Sequence, residues 1–127
     1  MSGRNQDLVK GIYEAFSGGD VDQVMSRLSD DIQFQVSGRG LVSGNYAGKQ
    51  GVLEFIGKLM ELSEGTFGLE VLDVLANEFR AVALTVETAR RNGRTLLNRA
   101  VHVWEIGNGK CTSFHGYNEE AWDEFWV

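Results

Sequence analysis

The 127-residue chain holds a single cysteine, Cys111, and only two histidines, His102 and His115. One thiol cannot close an internal bridge, so the core must carry the fold, and a reducing cytoplasm is the expected compartment. The opening stretch MSGRNQDLVK has no apolar segment of the kind a secretory leader needs, which points the same way. Positive charge is short as well: 12 Lys and Arg against 18 Asp and Glu leave a net charge of -6. Phosphate fields repel that sign, so neither nucleic acid nor an anionic membrane is an expected partner.

Several chemical motifs are missing too. GRGLVSG puts Ser43 where the third glycine of a dinucleotide fingerprint would stand, and AGKQ lacks both the earlier glycine and the Ser or Thr of a phosphate loop. There is no HExxH and no cysteine cluster, so no metal site is expected and no cofactor is called for. No repeat, linker or low-complexity run divides the chain. Residues 1–127 therefore read as one domain, with 43% hydrophobic and 24% charged residues, the proportions of a soluble globular protein.

What is present divides into helices first and strands second. In DLVKGIYEAF the four-residue spacing of Leu8, Ile12 and Phe16, and of Val9 and Tyr13, predicts an amphipathic helix stopped by Gly18 and Gly19. Asp20 is placed to cap a second helix, with Gln23 three residues on and Val21, Val24, Met25 and Leu28 as its buried stripe. IQFQV alternates as a strand. The glycine-rich segment SGRGLVSGNYAGKQG reads as loop or irregular edge until a third helix begins near Gln50, burying Val52, Phe55, Ile56, Leu59 and Met60.

From Leu69 the period becomes two, with strands near 69–76, 80–91, 94–106 and 110–118. RNGR predicts a two-residue hairpin pairing Arg91 with Arg94, and IGNGK a three-residue loop pairing Ile106 with Lys110. Counting back from these turns sets Ala83 beside His102 and Phe114, Thr85 beside Ala100 and Gly116, and Glu87 beside Asn98 and Asn118. The opposite face carries Val82, Val103 and Ser113, then Leu84, Val101 and His115, then Val86, Arg99 and Tyr117. That apolar face predicts a dimer. The first face mixes small residues, two large aromatics and three polar groups, a composition expected to border a pocket that takes a small apolar organic ligand.

The order of these pieces resembles the nuclear transport factor 2-like superfamily: IYEAFSGGDVDQVMSRLSDDIQF, GNYAGKQGVLEFI, the GR and GNGK hairpins, and the closing EEAWDEFW. Within it the likeness is to SnoaL-like polyketide cyclases and ketosteroid isomerase, and it covers nearly the whole chain. The resemblance implies an α+β fold, a cone-shaped α+β barrel whose curved antiparallel sheet wraps around N-terminal helices and a pocket. It also implies a homodimer through the outer sheet face. Residue by residue, however, its chemistry does not carry over. Val36 stands where the isomerase has its aspartate base, and valine takes no proton. His102 falls at the place of the protonated aspartate, Tyr13 at or next to the helix-one tyrosine, and Asn118 where a cyclase aspartate would act, though an amide is no general base.

Glu87 and His102 remain as candidate acid and base, with Asn98 to hold a substrate oxygen. Tyr13, Phe16, Phe55, Trp104 and Phe114 are candidate walls, joined by Val36 and Asn118 as ligand contacts. Asn118 is better placed as the N-cap of the last helix than as a ligand contact. Four residues along a strand separate His102 from Asn98, about 13 Å at about 3.3 Å per residue, so Glu87 and His102 are not expected to touch. His102 is itself open to a structural reading, and RRNGR to one as a solvated tip. The function expected is binding of a small ring-bearing molecule, either with cofactor-independent isomerase, cyclase or dehydratase activity or as a non-catalytic binding or assembly subunit.

Overall fold

A computed structural model describes residues 2–127. Three helices, α1 (Ser2–Ser17), α2 (Val21–Ser26) and α3 (Gly48–Leu62), are interleaved with strands β1 (Leu28–Val36) and β2 (Gly44–Ala47). Strands β3 (Gly68–Ala76), β4 (Arg80–Arg91), β5 (Arg94–Gly107) and β6 (Lys110–Tyr117) follow, then α4 (Glu120–Phe125). The six strands form one curved sheet in the order β2-β1-β6-β5-β4-β3, antiparallel except where β1 runs parallel to β6. Helix α1 lies against β3 and β4, and α3 crosses β1 and β2. The helices thus close one side of the curved sheet, giving the α+β cone.

Local chemistry sets most boundaries. Gly19, at φ 75°, turns the chain out of α1, and the Asp20 carboxylate accepts from Gln23 N at 3.2 Å to start α2. Leu28 belongs not to α2 but to the start of β1, where it is fully buried; β1 begins four residues before the apolar alternation of IQFQV because Leu28 already pairs with Cys111 on β6. Within the glycine-rich segment Gly44–Ala47 pairs with β1 as an edge strand, and α3 begins at Gly48 rather than Gln50. Among the described residues no helix is long and apolar enough to cross a membrane.

Both long hairpins close on Asn-Gly. Asn92 and Gly93 have φ 51° and 77°, Asn108 and Gly109 have 52° and 75°, so both are two-residue turns whose twist matches the strands. The second pairs Gly107 with Lys110, which corrects the expected three-residue loop. A bulge then inserts Thr112: Ile106 pairs with Cys111, but Glu105 pairs with Ser113. The expected partners on β6 therefore slide by two. Phe114 lies beside Trp104 and Gly116 beside His102, while Val103 faces His115 and Val101 faces Tyr117. A slip of two preserves which face each side chain occupies. The β4–β5 register agrees with expectation throughout, including Ala83 beside His102 and Glu87 beside Asn98. At the tip of that hairpin Arg90, Asn92, Gly93 and Arg94 are exposed, as expected of a solvated tip, although half-buried Arg91 donates to the carbonyls of Leu62 and Val127, and Arg94 to that of Glu124.

Candidate functional site

The concave face of β4 and β5 alternates small and polar side chains, and all of Ala81, Ala83, Thr85, Glu87 and Ala89 are buried there. Small residues beneath α1 and α3 leave a cavity of about 80 Å³, bordered almost wholly by carbon. By that measure one water needs roughly 10–15 Å³, so the space admits a small organic molecule. Tyr13 and Phe16 reach it from α1, Phe55 from α3, Val36 from β1, and Glu87, His102, Trp104, Phe114 and Asn118 from the sheet side. Gly116 matters to this wall: a Cβ there would stand 3.1 Å from the Phe114 ring, so its absence lets that ring settle beside the imidazole. Asn98 alone of the expected residues does not border the cavity. It is fully buried one step behind it.

A continuous polar chain runs through this apolar wall. Trp104 Nε1–H donates to the Tyr13 hydroxyl oxygen at 3.0 Å, and Tyr13 Oη lies 2.6 Å from His102 Nδ1. His102 Nε2 faces Glu87 Oε2 at 3.3 Å. Asn98 Nδ2 donates to Glu87 Oε1 at 2.8 Å and to Asn118 Oδ1 at 3.0 Å, and Asn118 Nδ2 donates to the Ser37 carbonyl at 3.3 Å. Asn98 Oδ1 in turn accepts from the backbone N–H of Glu119 at 3.1 Å. Asn118 therefore does not cap α4: Glu119 holds the cap position without a side-chain bond, because the Asn118 amide is committed to Asn98 and Ser37.

The Glu87–His102 contact corrects the expectation that the two are kept apart. That distance counted only the backbone rise along β5. Between them on the same face lie only Thr85 and Ala100, and over such short neighbours a glutamate and an imidazole lean toward each other on the concave side of the sheet. Burial pushes the Tyr13 hydroxyl well above the ordinary phenol range, partly opposed by the N–H bond from Trp104. Tyr13 thus stays protonated while its oxygen remains engaged. His102 and His115 project from opposite faces of the sheet, and no cluster of metal-ligating side chains occurs among the described residues.

Two features escaped sequence reasoning. Phe34 stacks on Phe114 with ring centroids 4.0 Å apart, which the strand pattern of IQFQV permits but does not reveal, since the β1–β6 pairing joins strands far apart in the chain. Ser37, whose carbonyl ends the polar chain, carried no sequence signal.

The profile of the SnoaL-like domain matches residues 9–114. Over 124 residues, 95% of each chain, the sequence is 25% identical to the uncharacterized protein Rv0034 of Mycobacterium tuberculosis (strain ATCC 25618 / H37Rv). The fold is similar to that of Bal32a from a soil-derived mobile gene cassette, with a TM-score of 0.94 and 26% identity over 99% of this chain and 98% of that one. TerC, co-crystallized with polyporic acid, shares the fold at a TM-score of 0.85 and 20% identity, covering 96% of this chain and 97% of TerC.

Proposed function

We propose a ligand-binding function from one premise: the chain belongs to the SnoaL-like domain family, within the nuclear transport factor 2-like superfamily. That membership supports ligand binding or cyclase-like activity in general terms. In the finer reading, the cavity takes a small apolar, ring-bearing organic molecule. His102 and Glu87 then serve as acid and base in a cofactor-independent reaction of the isomerase, cyclase or dehydratase type. A small-molecule occupant is consistent with TerC, a protein of the same fold co-crystallized with polyporic acid.

The observation that carries this reading is the contact of His102 with Tyr13 on one side and Glu87 on the other, set in an otherwise apolar wall. A proton leaving the substrate passes to the Tyr13 oxygen as the proton of Tyr13 moves to His102 Nδ1. The imidazolium so formed stands against the Glu87 carboxylate, and Asn98 holds that carboxylate in place. Tyr13 is never left as a bare phenolate, which agrees with the burial that disfavours its ionisation.

Titrating the protein with single-ring aromatic compounds while following tryptophan fluorescence tests occupancy. Trp104 borders the cavity, so most of the response is expected to disappear in Trp104→Phe; an undiminished response would place the ligand elsewhere. With a substrate in hand, His102→Ala and Glu87→Gln are expected to lower kcat by about 100-fold or more. A second reading, binding without turnover, is favoured by one observation: both imidazole nitrogens already face protein partners. Unchanged turnover in both variants would leave that reading standing alone. The same proposal pairs two copies through the outer sheet face around Leu84 and Val101.

A further inference from the structure

We infer that the ligand of this cavity is a hydrogen-bond donor, a ring bearing a hydroxyl of phenol or enol type, rather than a ring bearing only a carbonyl. This rests on the reading of the cavity as a ligand site and adds the polarity of the group that enters it. The argument is a count of protons and lone pairs along the polar chain.

Each amide orientation in that chain is forced by a group that cannot turn round. The Glu119 backbone N–H fixes the Asn98 oxygen, so both Asn98 amide protons go to Glu87 and Asn118. The Ser37 carbonyl fixes the Asn118 amide in the same way. The indole N–H of Trp104 can only donate, so the Tyr13 oxygen accepts it, and with the imidazole proton on the side of Glu87 the proton of Tyr13 is directed at His102 Nδ1. The other imidazole nitrogen faces a Glu87 carboxylate oxygen, and the proposal rests on the tautomer with its proton there. From Trp104 to His102 the protons thus run toward Glu87 and one Asn98 proton meets them there, while the other Asn98 proton and that of Asn118 run the opposite way, to Asn118 and the Ser37 carbonyl.

What this leaves for a ligand is almost entirely acceptor capacity. One lone pair remains on the Tyr13 oxygen and one on each Glu87 oxygen, against a single uncommitted proton on the Asn118 amide. No polar side-chain atom in the cavity wall is left buried without a partner among the described residues, so an entering carbonyl finds no waiting donor at the Tyr13 end. A hydroxyl entering there donates to the Tyr13 oxygen and completes the chain. A carbonyl oxygen would face lone pairs, which costs both its own hydration and theirs.

The test compares 4-methylphenol with 4-methylbenzaldehyde, two rings of similar size and hydrophobicity, by calorimetry and tryptophan fluorescence at one neutral pH. The phenol is expected to bind at least about tenfold more tightly. Glu87→Gln sharpens the test because it reverses the chain. The new amide donates to His102 Nε2, the other ring nitrogen then donates to the Tyr13 oxygen, and the proton of Tyr13 swings free toward the cavity. In that variant the phenol-to-aldehyde preference is expected to fall at least tenfold; a purely structural role for Glu87 would weaken both ligands alike. Equal binding of the two by the wild-type protein, or tighter binding of the aldehyde, would overturn the inference and leave the cavity reading intact. A preference unmoved by Glu87→Gln would overturn it equally. If neither compound binds the wild-type protein at millimolar concentration, the ring-ligand reading fails and takes this inference with it.

Discussion

Each face of the β4–β5 pair carries exceptions to the usual distribution of polarity. On the concave side Glu87 is 3% exposed and Asn98 fully buried; on the convex side Leu84 and Val101, and Tyr117 on neighbouring β6, are 37, 39 and 49% exposed. An exposed leucine alone means little, and so does one buried polar atom with a partner. The pairing of the two is what teaches something: the strand keeps polar groups where dehydration is costly and leaves apolar ones where water reaches them. Neither choice aids a lone subunit's stability. Under the proposed function each meets a contact the isolated chain does not supply, a small molecule inside and a second subunit outside.

That contrast can be broken experimentally. The largest effect is expected from Asn98→Leu, which strands the Glu87 carboxylate, the Asn118 oxygen and the Glu119 N–H together. A loss of about 3 kcal/mol in denaturant unfolding is expected, against less than about 1 kcal/mol for Val101→Thr on the outer face. Equal losses would erase the distinction between the faces. Next comes association. The wild-type protein is expected to sediment as a dimer at micromolar concentration, and Val101→Glu to weaken that dimer by about 100-fold while leaving cavity binding unaltered. A wild-type monomer would remove the outer half of the contrast.

The smallest effect concerns Cys111, on the buried side of β6, whose thiol is pushed up to about 12 by burial. The folded thiol keeps its proton where the unfolded one loses it, so its contribution to stability is lost as pH rises from 9.0 toward 12. At pH 8 the native protein is expected to resist thiol-labelling reagents that modify it promptly once unfolded. Rapid labelling of the folded chain would show that this end of the concave face is open.

Much of this was legible in sequence because two Asn-Gly turns and a period of two assign faces without any tertiary knowledge. Ala83 beside His102 and Glu87 beside Asn98 follow from RNGR alone. The chemistry of the site was less legible. Tyr13 and His102 are 89 positions apart, and only the family resemblance brought the tyrosine near. The Glu87–His102 contact depends on side-chain lean across a concave surface, which counting residues along a strand does not capture. Asn118 was misread as a cap because its spacing before EEAWDEFW fits one, while its partner Ser37 lies 81 positions away.

The extra residue in β6 sets an arithmetic for the lineage of this chain. With Thr112 present, Cys111 and Phe114 both turn inward although an odd number of steps separates them. Deleting Thr112 alone would leave Cys111, Ser113 and Phe114 in strict alternation against Ile106, Glu105 and Trp104, removing the bulge while keeping both inward side chains inward. A descendant that loses Thr112 therefore keeps the same interior, whereas a single residue lost between Phe114 and Gly116 must be offset nearby.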